Sequence, residues 1–254
     1  IRPTWANRKL NRLIKTPVFL NPLWIVQLAA AAKRFQVDAL QVIDIPLLPA
    51  AVWVGRLFGI PVVLDMWENY PEAMRGWSAR NRKRRVFKNH WLARRVELWG
   101  VRRVERVITV VEEQKVRLID DGVPEDRIAV VTNAFDAEIF FASPERHDTP
   151  LDAEPDSYKL LYVGGLGCER GLEDVIRATA LARAEIPALR VYIAGRGMEE
   201  PRLRALAAEL GVSGEVRFLG WVPFQDIHSY FAKSDLCLVP HVYNDFINTT
   251  IPNK

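Results

Sequence analysis

Short apolar runs recur along this chain, and an amphipathic stretch follows nearly every one. That alternation admits few folds. The runs ALQVIDI (39–45), PVVLD (61–65), RVITVV (106–111) and IAVV (128–131) read as strands, and so do 159–163, 189–194, 216–219 and 236–240. Helical periodicity covers 49–58, 112–121, 172–184, 199–210 and 227–233, with a longer basic helix or helix pair after 65. Strands that are apolar throughout are covered on both faces, which predicts parallel α/β sheets. A chain of 254 residues, 49% hydrophobic and 26% charged, holds one or two such domains.

Residues 141–157 (FASPERHDTPLDAEPDS) carry three prolines and five acids and read as a linker. The expected division is residues 1–140, the linker, and residues 158–254. Two α/β units joined in this way face each other across a cleft, and open parallel sheets bind ligands at their carboxyl strand ends. Several classes are excluded. The two cysteines, Cys168 and Cys237, form no CxxC pair, and the four histidines are scattered, so neither a disulfide scaffold nor a cysteine-based metal site is expected. The apolar stretch from Pro17 to Ala32 is broken by Asn21, Pro22 and Gln27 and is shorter than the roughly 20 residues of a spanning helix. It reads as a core helix, with an interfacial helix as the alternative. No secretory signal opens the sequence.

Charge is unevenly placed. Residues 1–106 carry 20 lysines and arginines against 7 acids, whereas residues 107–254 carry 15 against 24. The basic residues concentrate between 75 and 106, where Trp91, Leu92, Val96 and Trp99 interleave with arginines at helical spacing. Such a tract suits an anionic membrane surface, or a helix packed on its own domain. No helix-turn-helix, RNP or zinc-finger pattern supports nucleic acid as the partner.

In the second half, LYVGGLGCERGLEDVIRA runs from a strand through Gly164 and Gly165 to Arg170, Gly171 and a helix. Glycines let backbone N–H groups approach an anion, a helix N-terminus favours negative charge, and a guanidinium can clamp a diphosphate. No GK[ST] follows, so this is not a Walker loop. The next strands end at Gly195 and Gly197 (VYIAGRG) and at Gly220 (RFLGWVP), and the last runs into HVYNDFINTTIPNK. A nicotinamide dehydrogenase is disfavoured, because no strand-linked G-x-G-x-x-G with an acid about 20 residues on is present.

YVGGLGCERG, IAGRG, VRFLGWVP and AKSDLCLVP, in that order and spacing, resemble the nucleotide-binding domain of GT-B glycosyltransferases of the family 4 kind. IDIPLLPAAVWVGRLFGIPVVLDMWENYPEAM and VITVVEEQKVRLIDDGVPEDRIAVVTNAFDAEIF resemble its first domain. The resemblance implies two Rossmann-like parallel-sheet domains facing a cleft, both incomplete here. The family's first glycine-rich loop would precede Ile1, and its last helices would follow Lys254. It also implies retaining transfer of a sugar from a UDP or GDP sugar to an acceptor hydroxyl, with no required metal or cofactor. The expected setting is cell-envelope or exopolysaccharide synthesis, with a lipid-linked or saccharide acceptor at the cytoplasmic membrane face.

Carried over residue by residue, the donor would lie against Gly164, Gly165, Arg170, Gly195 and Val222. Arg170 takes the place of the family's phosphate-binding lysine. Gly165 stands where an arginine is usual, leaving Lys254 or the helix dipole to supply the missing charge. The family's Glu-x7-Glu motif falls on NDFINTTIPNK. There Asp245 is the acidic candidate, Phe246 and Ile247 present backbone N–H groups, and Thr249 and Thr250 line the phosphates. In the first domain the family's histidine is replaced by Trp67, which can stack on a sugar face. Glu68 is the nearest ionisable candidate, and Asp44, at the end of ALQVI, faces the same cleft or caps a turn. The departures at Gly165, Trp67 and the acidic motif leave a second reading open, a non-catalytic protein of this fold that holds a nucleotide or partner.

Overall fold

The computed structural model describes residues 19, 21–79, 89–134, 137–138 and 148–251. It divides into two compact units, Ile1–Asn133 with Asn244–Ile251, and Ala134–Tyr243 with Pro252–Lys254. Both are parallel α/β units.

The first unit holds β1 (Leu40–Ile43), β2 (Val62–Met66), β3 (Arg106–Thr109) and β4 (Ile128–Val130) in the order β1-β2-β3-β4. All neighbours are parallel, and Leu64 pairs with both Val42 and Val107. Its helices are α1 (Pro22–Phe35), α2 (Leu48–Phe58), α3 (Tyr70–Ala79), α4 (His90–Val101) and α5 (Glu112–Asp120). Val42, Leu64, Met66 and Val107 form the centre of one core with Leu48, Val52 and Val96 from the helices.

α1 differs from the core helix expected over 17–32. Asn21 caps it by accepting from the Leu23 N–H, Pro22 starts it, and Ala32 is its one buried residue. Trp24, Val26 and Phe35 remain exposed, because the helix packs along α2 rather than beneath it. The basic tract resolves into separate helices, α3 and α4, with residues 80–88 outside the described set.

The second unit holds β5 (Tyr158–Val163), β6 (Leu189–Ala194), β7 (Val216–Gly220) and β8 (Leu236–Cys237), in the order β7-β6-β5-β8, again all parallel. The chain winds one way from β5 to β6 and β7, then returns to place β8 on the other side of β5. α6 (Leu172–Ala182), α7 (Glu200–Glu209) and α8 (Ile227–Ala232) connect the strands. Alternate residues serve opposite faces. Tyr162, Val191 and Ile193 pack with Leu172, Ile176 and Leu203, whereas Leu161, Tyr192 and Ala194 pack with Leu151.

Leu151 belongs to the stretch expected as a linker. Residues 150–153 instead form a 3-10 turn capped by Thr149, and Leu151 is fully buried. The acids that made the segment look solvated are its anchors. Asp152 pairs with Lys233 at 2.5 Å, and Glu154 pairs with Arg190 and, at 2.9 Å, with Arg217. The last residues, expected in the second domain, also differ, since 244–251 pack with the first unit.

Because Leu151 fills one face of the second sheet, Leu151→Ala should cost about 2–5 kcal/mol. Urea unfolding would show it as a lowered midpoint of the second unit's transition. A loss of only a few tenths of a kcal/mol would mean that the segment is tethered rather than packed.

Candidate functional site

At the carboxyl end of the first sheet, β2 delivers Trp67, Glu68 and Asn69 into α3. Asp44 organises this turn. Its own φ is +52°, a left-handed conformation that aspartate tolerates better than most residues, and its N–H donates to Asp65 O at 2.8 Å. Its carboxylate accepts from the Trp67 N–H at 3.0 Å and from the Glu68 N–H. Burial pushes the Asp44 pKa from 3.8 to about 6, against the lowering effect of those two donors and with a small push from Asp65. Asp44 therefore holds the turn, the second of the two roles open to it. Trp67 is 53% exposed and Glu68 half-buried.

Asn69 was missed by sequence reasoning. It is 3% exposed, its Nδ2 lies 3.5 Å from Asp245 O, and its Oδ1 is buried with no hydrogen-bond partner among the described residues. It lines a cavity of about 350 Å³ with Glu72, His90, Arg94, Arg117 and Asp245. The arginines there are fixed from behind by Glu97, which is fully buried. Arg94 Nη1 reaches it at 2.6 Å and Arg117 Nη2 at 2.8 Å, and Arg94 also pairs with Asp121. The cavity thus mixes fixed guanidinium donors with carboxylate and amide acceptors, a lining suited to hydroxyl groups.

The 244–250 segment spends its polar groups on itself. Asn244 Oδ1 accepts from the Ile247 N–H (2.8 Å), so that N–H does not face a donor as expected. Thr249 Oγ1 donates to Asp245 O and Phe246 O, and Thr250 Oγ1 donates to Ile247 O. These hydroxyls close a 3-10 turn rather than lining phosphates, because a short turn leaves carbonyls that nearby hydroxyls satisfy. Asp245 is exposed. Lys254 lies outside the described residues.

In the second unit, the strand order reverses at β5, which lies between β6 and β8. The carboxyl ends of strands at such a switch point form a crevice. Arg170 follows β5 and His241 follows β8. Two close approaches shape the rim. A Cβ on Gly195 would lie 1.8 Å from Gly164 O, and one on Gly171, whose φ is +66°, would lie 1.6 Å from Pro240 O. The Gly164 N–H donates to Ala194 O and the Gly195 N–H to Gly220 O, so both are spent on stitching the strand ends together. Gly165 differs, since an added Cβ would meet none of the described residues within 4 Å. Its carbonyl accepts from the Tyr162 hydroxyl (2.8 Å), which burial keeps protonated by raising its pKa to about 12. Val222, expected on the donor, packs against the Leu151 face of the core, where an apolar side chain after β7 is best covered.

Arg170 is held rather than loose. Its side chain is 26% exposed, Nη1 donates to His241 Nε2 at 3.0 Å, and Nε lies 3.3 Å from Glu169. That Nε is buried, and among the described residues no hydrogen-bond acceptor is aligned with it. Directly behind it α6 opens at Gly171 with no side-chain cap, although Glu173 and Asp174 occupy its first turn. The arrangement offers a guanidinium and a helix N-terminus at one strand end, and both favour an anion.

Two family patterns cover nearly the whole sequence. Residues 2–134 match the glycosyl transferase 4-like domain, and residues 145–246 match the glycosyl transferases group 1. The chain belongs to the 4-like, group 1 glycosyltransferases. The chain is 29% identical over 147 residues to an uncharacterized glycosyltransferase, MJ1607, of Methanocaldococcus jannaschii, covering 56% of this chain and 37% of that protein. It is 24% identical over 252 residues to the 2-deoxystreptamine glucosyltransferase of Streptomyces kanamyceticus, covering 93% of this chain and 63% of that one. Its fold is similar to that of Anabaena Alr3699/HepE in complex with UDP, with TM-score 0.68, 17% identity, and coverage of 94% of this chain and 65% of that chain. The chain therefore spans only part of the length of these relatives. Its fold class is GT-B, two parallel-sheet α/β units. Among the described residues, no helix is long and apolar enough to cross a membrane.

Asp44 gives a pH-dependent expectation. Its folded pKa is raised, so between 3.8 and about 6 the folded chain holds this proton more tightly than the unfolded chain. The group's favourable contribution is full below 3.8 and is lost as pH rises through about 6. Asp44→Asn keeps an oxygen acceptor for the turn and removes that loss. Its stability relative to the parent should climb across this interval in urea titrations, and a pH-independent difference would contradict the assignment.

Proposed function

We propose that this glycosyltransferase moves a sugar from a UDP or GDP sugar to an acceptor hydroxyl, with retention at the anomeric carbon. The observation that carries the reading is Arg170, a partly buried guanidinium at the switch point of the second sheet, held there by Glu169 and His241. A nucleoside diphosphate leaves easily once its growing charge is held, and fixed donors in a partly dry site do this without reorganising. Arg170 and the α6 N-terminus supply that charge stabilisation, and the reaction in this reading needs no divalent metal. HepE, which is similar in fold, is in complex with UDP, which supports a nucleotide as the ligand.

The acceptor belongs on the first unit. Trp67 offers an exposed ring for a sugar face, Glu68 is the candidate to orient the hydroxyl, and the polar cavity beside Asn69 suits further hydroxyls. Asp245 is proposed at the edge of that cavity. The biological setting we propose is cell-envelope or exopolysaccharide synthesis on a lipid-linked or saccharide acceptor, at the cytoplasmic face of the membrane. Support for the membrane part comes from the charge of the 75–106 tract, where the described arginines Arg95 and Arg103 lie over Trp91 and Trp99.

A second reading, nucleotide or partner binding without transfer, is favoured by the self-satisfied 244–250 turn, whose Ile247 N–H and threonine hydroxyls are already used. Sugar transfer or donor hydrolysis by the full-length protein decides between the two.

Arg170→Ala should weaken UDP or GDP binding about tenfold or more by titration calorimetry, as expected for loss of a charged hydrogen bond. Unchanged affinity for both nucleotides would remove Arg170 from the site. The protein should also co-sediment with anionic vesicles at low salt and be released as salt rises. Equal partition to neutral and anionic vesicles would end the membrane assignment.

A further inference from the structure

β5 and β8, neighbours at the switch point, deliver Arg170 and His241 to one place. The backbone fixes their separation. The Val242 N–H donates to Glu169 O at 3.1 Å, and the absent Cβ of Gly171 lets the chain at Pro240 lie against the 168–170 turn. A guanidinium has no lone pair, so in its 3.0 Å bond to Arg170 the His241 Nε2 is the acceptor, which puts the ring hydrogen on Nδ1. Glu169, 3.3 Å from Arg170 Nε, is an opposite charge beside the guanidinium and offsets part of it. A diphosphate brings several anionic oxygens to this turn, more than one partly neutralised guanidinium can satisfy. Gly165, where an added Cβ would meet none of the described residues within 4 Å, has no side chain to help.

We infer that His241 is a second diphosphate ligand, which replaces its bond to Arg170 with one to the nucleotide. A phosphoryl oxygen that takes the Arg170 Nη1–H breaks that bond to Nε2. Neutral imidazole can carry its single hydrogen on either nitrogen, so exchange with water gives Nε2–H, and that group donates to a second phosphoryl oxygen. In the ligand-free protein the same bond holds Arg170 in place at the rim. The inference rests on the reading of this rim as a nucleoside diphosphate site.

The test is titration calorimetry of UDP and GDP against the full chain, comparing the parent with His241→Phe, His241→Gln and Arg170→Ala. Phenylalanine keeps the ring volume and removes the donor, so affinity should fall about tenfold, the scale of one hydrogen bond to a charged group. Glutamine restores an N–H and should stay within about threefold of the parent. Unchanged affinity in His241→Phe with a loss in Arg170→Ala overturns the role of His241 alone. No binding of either nucleotide by the parent overturns the nucleotide reading itself. As a check independent of substitution, the His241 ring resonances should shift on adding UDP. Resonances that stay fixed while UDP binds would also overturn the inference.

Discussion

The turn after β5 and the chain leaving β8 run so close together that position 171 has no room for a Cβ. This contact follows from topology. β8 pairs with β5 on the side opposite β6, so both chains emerge at the same edge of a parallel sheet and must share it. Glycine at 171, with its left-handed backbone, lets them pass, and the 3-10 turn of 168–170 is thereby held under residues 240–242. The orientation of Arg170, its partner His241 and the start of α6 all depend on that one close approach. A methyl group there would have to displace a carbonyl, and the groups at the rim would move with it.

The first unit reaches a comparable end by electrostatics. Asp44, at the end of β1, binds the backbone of the turn that follows β2. Glu97, without solvent, holds Arg94 and Arg117 in fixed positions beside a polar cavity. A buried carboxylate between two guanidiniums loses hydration on folding, and removing one partner leaves an uncompensated charge. In both units, then, the groups with chemistry to offer are backed by others that leave them little freedom. Such support is what lets a polar site act without first reorganising.

Much of the fold was legible. The apolar runs 106–111, 189–194 and 216–219 lie on β3, β6 and β7, and the glycines at 164, 171 and 195 mark real close passages or turns. The place of Arg170 in the fold was legible because it sits between a strand end and a helix start. What misled was composition read without partners. The acids and prolines of 141–157 looked solvated, yet Leu151 is core, and Asp152 and Glu154 are anchors whose basic partners lie 36 to 81 residues away. The apolar residues of α1 looked like core, yet the helix lies on the surface of α2. Asn69 and His241 gave no signal, since a single polar residue after a strand is common and only its neighbours distinguish it.

Sequence alone determined the alternation of strand and helix, the parallel sheets and the two-unit plan, because periodicity and apolar runs are local properties that the backbone expresses directly. It also carried the family, through motifs whose order survives when no single one is specific. Tertiary structure decided which side of β5 receives β8, that residues 244–251 pack with the first unit, and that Arg170 meets His241. Those outcomes depend on long-range pairings, which are selected by total burial and by the satisfaction of buried polar groups across the whole chain and not by any one segment.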